Sequence, residues 1–103
     1  MGYSQTELGR IGTSGGDILL LVDVSPDAAT GDIIISDVDN VYVMGVVTLI
    51  EDGASNAQES VQAKEDSSTK NKVNIKLWKA PGSAASADYK DFRLALLLKD
   101  SVI

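Results

Sequence analysis

The side chains that could do chemistry fall in four short stretches. Asp37-Val38-Asp39-Asn40 gathers oxygen donors of the kind a hard cation takes. It lacks the glycine and the distal glutamate that complete a calcium loop, so an Asx-rich turn, in which Asp and Asn bond their own backbone, is the preferred reading. Glu51-Asp52 offers two adjacent carboxylates, but glycosidase chemistry needs a second carboxylate at a set separation, and nothing distinguishes this pair from an ordinary hairpin tip. The glycines of GRIGTSGGD end in no Gly-Lys-Ser/Thr and lead into a strand pattern, so they form no phosphate cradle. Lys64, Lys70, Lys72, Lys76 and Lys79 cluster around one expected hairpin. A nucleic-acid surface would interleave aromatics on a basic domain, and here the net charge is −6 with a pI near 4.4, so a solvated strand face is the better account.

The chain has no histidine and no cysteine, which removes the commonest general base, the commonest zinc ligand and every thiolate. No catalytic, cofactor-binding or metal-ligating residue is assigned, and the expectation is a protein that is not an enzyme. Trp78 stands apart. Alternation places it with Lys72, Asn74 and Lys76 and against Val73, Ile75 and Leu77. Either the strand bends near Pro81 and tucks the indole under a loop, or Trp78 is an exposed anchor for a partner, a role in which Trp is enriched.

The elements that must position these residues read as strands. KVNIKLWK and DFRLALLLK alternate apolar and polar residues with a period of two, the mark of a half-buried strand. Asp17–Val24 sets Ile18, Leu20, Val22 and Val24 on one face, while Leu19 and Leu21 on the other suggest that both faces are covered. SPDAATGD is turn chemistry, with Gly31 supplying a positive φ, and Asp32–Ser36 is a short second strand. Val41–Ile50 is apolar on both faces, as in a central or covered strand, and Gly45 in its middle points to a bulge or a close backbone approach. Residues 54–70 fit either a thin amphipathic helix capped by Ser55 or a strand through Val61 and Ala63 followed by a DSSTKN hairpin loop; the strand is preferred.

One hundred and three residues suffice for one core. Residues 1–16 are polar and Gly-rich and read as a flexible arm carrying the apolar anchors Tyr3, Leu8 and Ile11, with the β-domain at 17–103. Gly2 and Thr6 fit the loose myristoylation pattern, which arises easily by chance. No segment resembles a signal peptide, and the apolar runs ILLLV and YVMGVVTLI are too short for a membrane-spanning helix, so a soluble protein is expected. Charge is uneven: residues 1–53 hold one base and nine acids, and residues 54–103 hold eight bases and six acids, giving −8 and +2. Either the two halves pair and mix their charges, or an acidic face meets a lysine-bearing face between neighbouring copies.

The polar N-terminal arm, the VDVSPDAATGD turn and the closing pair NKVNIKLWKA and DYKDFRLALLLK together resemble the small β-sandwich structural proteins of tailed bacteriophages, including capsid decoration or cement proteins. The resemblance is one of pattern across most of the chain, without a diagnostic motif. It implies a virion component that binds capsid proteins and copies of itself, made as a soluble protein and then located on the capsid, with no cofactor and no nucleic-acid, membrane or small-molecule partner. The expected fold is a single antiparallel β-sandwich of six to seven strands, Ig-like or jelly-roll-like, and the candidate partner contacts are Tyr3, Leu8, Ile11 and Trp78. A carbohydrate- or receptor-binding β-sandwich module is the alternative, and a carboxylate-dependent hydrolase a third reading.

Overall fold

Alternating apolar positions become two antiparallel sheets packed face to face. The computed structural model describes residues 2–12, 15–49, 60–80, 82–85 and 89–99. Its strands are β1 (Ser4–Gly12), β2 (Ile18–Ser25), β3 (Thr30–Ile34), β4 (Asn40–Leu49), β5 (Ser60–Glu65), β6 (Lys72–Ala80), β7 (Ser83–Ala84) and β8 (Phe92–Lys99). One sheet has the order β1-β2-β8-β4; the other has the order β3-β6-β5, with the two-residue β7 pairing onto β6 at Trp78 and Ala80. No described residue is helical.

The closing strand is the spine of the first sheet. Phe92, Leu94, Leu96 and Leu98 of β8 are fully buried, as are Leu20, Val22 and Val24 of β2. They face Val73, Ile75 and Leu77 of β6 and Ile33 of β3 across the sandwich. Burying each such aliphatic side chain favours folding by roughly 1.5–3 kcal/mol. The period-two pattern of the two closing strands is therefore the core itself. Residues 60–65 form the strand preferred from sequence, antiparallel to β6, with Val61 opposite Leu77 and Ala63 opposite Ile75. The Ser55 cap and the Glu51-Asp52 pair lie outside the described residues.

Three expectations are corrected. Ser4–Gly12, read as an arm, is an edge strand antiparallel to β2, with Ser4 opposite Ser25 and Gly12 opposite Ile18. The strands among the described residues number eight, one more than the upper expectation, because β1 and the short β7 were not anticipated. Val41–Ile50 was expected to be central or covered, yet β4 is an edge strand. Val41 at its start is buried, while Tyr42, Met44, Val46 and Val47 are exposed. Gly45 does mark a bulge: its φ is 155°, and the register to β8 skips between Val43 and Gly45.

Candidate interaction surfaces

The N-terminal residues join the two sheets along one edge. Beyond the β1 ladder to β2, the Tyr3 amide donates to the Asp32 carbonyl at 2.8 Å, and the Gln5 side-chain amide donates to the Ile34 carbonyl at 3.1 Å. Arg10 donates to Asp37 at 2.8 Å and to Glu7 at 2.8 Å. Those carboxylates raise the Arg10 pKa, and the guanidinium holds Asp37 below its usual range. Asp37 of the Asx-rich turn is thus part of an ion-paired brace between β1 and the loop after β3.

Tyr3 is the pin of this clasp. Its ring is only 6% exposed within the core, and its hydroxyl donates to the Ala28 carbonyl at 2.6 Å. Burial, and then the nearby charge of Asp27, pushes its pKa up to about 12. The ring packs directly against Gly31, where a Cβ would come within 2.6 Å of Cδ1 and Cζ. Gly31 is accordingly a glycine because Tyr3 approaches it inside strand β3; it does not supply the positive φ expected from a turn. Tyr3 is likewise corrected as a partner contact, since a side chain sealed in its own core offers no surface to another molecule.

Leu8 and Ile11 point the other way. Ile11 is 65% exposed, and with Leu8, Leu19 and Leu21 it lines an apolar cleft of about 240 Å³ between β1 and β2. The cleft opens onto the outer face of the β1-β2-β8-β4 sheet, where register builds an unbroken apolar row. Ile11 lies opposite Leu19, Leu19 opposite Leu97, and Leu97 opposite Tyr42. In the next row Gly9 pairs with Leu21, Leu21 with Ala95, and Ala95 with Gly45. Leu8 and the 60% exposed Met44 sit at the bulges flanking this second row. The row after it carries the charges: Arg93 grips Asp23 in a bidentate pair at 2.6 and 3.1 Å, which lowers the Asp23 pKa and raises that of Arg93.

The outer face of β3-β6-β5 is polar. Thr30 and Gln62 flank Lys76, and Asp32 and Lys64 flank Asn74, around an open groove of about 440 Å³. Lys72 sits 3.6 Å from Asp32. Asp66, at the head of the β5–β6 loop, accepts hydrogen bonds from the Ser68 and Thr69 amides and from the Asn74 side chain, which together hold its pKa down to about 2. Trp78 lies on this face in the phase read from sequence. It is half-buried, its indole N–H donates to Gln62 at 3.1 Å, and the Lys76 ammonium sits 4.2 Å from its ring centroid. Both of these contacts come from its own sheet face.

Sequence reasoning missed Leu19, Leu97, Tyr42 and Met44 as surface residues. The available signal was the second apolar face of β2 and β4, which says that a strand is central or covered without saying by what, and Leu97 beside Leu96 in β8. The fold class is thus an antiparallel β-sandwich with one apolar and one polar outer face. No family model, curated protein or solved structure matches this chain.

Proposed function

We propose that the chain is a structural, non-catalytic subunit of a virion, a capsid decoration or cement protein that attaches to the shell and to its own copies. The observation that carries this reading is the apolar row Ile11–Leu19–Leu97–Tyr42 across the outside of a complete sheet. Apolar patches of this kind, rimmed by charge, mark interaction surfaces. Leu8 and Ile11 remain candidate contacts on that face, and Trp78 is kept as a contact on the opposite one. Co-expression with the products of the neighbouring open reading frames, assayed for capsid-like shells, tests the reading. Co-sedimentation with assembled shells is the expected result, and a chain that stays at the top of the gradient refutes it.

A carbohydrate- or receptor-binding module is the second reading, favoured by the groove beside Trp78 with its Asp32, Asn74, Gln62 and Lys76 side chains. Glycan-array binding that Trp78→Ala removes would support it over the first; an array without signal would discard it.

A further inference from the structure

We infer that a second copy of this chain covers the apolar face of the β1-β2-β8-β4 sheet, packed about a two-fold axis that runs along the strands between β2 and β8. This deepens the reading of a self-associating subunit and rests on it. The argument starts from the arrangement of the face. A two-fold in that position lays β1 over β4 and β2 over β8 of the other copy, with strand directions kept within the roughly 30° usual for aligned sheets. Ile11 then faces Tyr42 of the partner copy, and Leu19 faces Leu97, so the apolar row meets itself along its whole length.

The next rows match as well. Leu21 meets the small Ala95, and Gly9 meets Gly45. Beside those glycines the bulged Met44 of one copy stands over the 240 Å³ cleft of the other, which Leu8, Ile11, Leu19 and Leu21 line. The third row supplies charge complementarity. Asp23 lies over Arg93 of the partner copy and Arg93 over its Asp23, so the two in-chain pairs become a square of alternating sign. A chain of net charge −6 that stacked two acidic faces would repel itself; the third row of this face carries one acid and one base already paired. An isologous contact requires that self-complementarity.

The absence of cysteine makes the test clean, because introduced thiols are the only ones present. Facing sheets pack about 10 Å apart, beyond disulfide reach but within that of a short bismaleimide. Ile11→Cys protein mixed with Tyr42→Cys protein should give a covalent dimer at least several-fold more abundant than either variant gives alone. Efficient self-crosslinking of Ile11→Cys alone would overturn the proposal, since it requires a two-fold running across the strands. Each variant carries a single thiol, so no link inside one chain can mimic the result.

Light scattering after size exclusion should report twice the chain mass for the native protein and the single mass for Leu97→Glu with its β-sheet circular dichroism intact. If Leu97→Glu unfolds, Ile11→Glu on the exposed edge strand provides the same reading. A native monomer at millimolar concentration overturns the inference. If that monomer still co-sediments with shells and Leu97→Glu or Ile11→Glu abolishes the binding, the face belongs to the shell: the dimer fails while the proposed function stands.

Discussion

The two outer faces of this sandwich are built from strands of the same kind and finished in opposite ways. On β3-β6-β5 the outward positions include Thr30, Asp32, Gln62, Lys64, Asn74, Lys76, Trp78 and the exposed Ile34 opposite Lys72, and each row offers hydrogen bonds or charge to water. On β1-β2-β8-β4 the outward positions of the first two rows are aliphatic, aromatic or glycine. An antiparallel sheet normally leaves one face solvated, which describes the first and not the second. The difference is why the proposed contact is assigned to a sheet face, where no catalytic motif would have drawn attention.

The sharpest way to break this comparison uses two neighbouring residues of β8. Leu96 points into the core and is fully buried, and Leu97 points outward and is half-buried. Leu96→Ala should cost about 2–5 kcal/mol of stability. Leu97→Ala, measured by urea unfolding at concentrations low enough to separate copies, should cost less than about 1 kcal/mol, as surface substitutions do. Equal losses would mean that the outer face is already covered within one chain.

The seam between the faces is the next place to press. Gly31→Ala drives a Cβ into the Tyr3 ring and should cost about 1–3 kcal/mol by overpacking, and the double variant Gly31→Ala/Tyr3→Ala should lose less than the sum of the two single losses. Additive losses in the double variant would show that ring and glycine do not meet. Tyr3→Phe removes only the hydroxyl that donates to Ala28 and should cost about 0.5–1.5 kcal/mol at neutral pH. Because folding raises the Tyr3 pKa to about 12, the native protein should lose further stability between pH 10 and 12, as the unfolded tyrosine ionises first. Tyr3→Phe should lack that loss, which alkaline thermal melts of the two proteins can compare.

The inward half of this fold was legible because its signal is local. Period-two alternation in Lys72–Lys79 and Phe92–Lys99 determines which side chains meet in the core, and Val61 with Ala63 carried enough of it to prefer a strand. The outward half was not legible, for two physical reasons. Two-sided apolarity in Ile18–Val24 and Val41–Ile50 is the same whether the second face is covered by the chain itself or by another molecule. The burial of Tyr3 depends on a glycine 28 positions away, a contact that no window of sequence contains. The polar, Gly-rich composition of the first residues described their exposed strand correctly as polar and misread it as unpaired. Trp78 shows the intermediate case: its phase was readable, while its partners Gln62 and Lys76 came from the neighbouring strand and from its own.

The smallest expected effect tests whether the polar face is internally organised or merely wet. Asp66 takes two backbone amides and the Asn74 side chain onto its carboxylate at the mouth of the β5–β6 loop. Those donors favour the charged form, so the folded carboxyl titrates near 2 against about 3.9 in an unfolded chain. Its contribution is therefore complete above roughly pH 5 and drains away as pH falls through 4 towards 2. Asp66→Asn should be slightly less stable than the native protein at neutral pH and should converge with it in acid, read as a narrowing difference in melting temperature from pH 6 to pH 2. A gap that stays constant with pH would mean that the loop donors do not hold the carboxylate in solution. The polar face would then lack the built framework that a ligand groove requires, leaving the apolar face as the organised surface of the molecule.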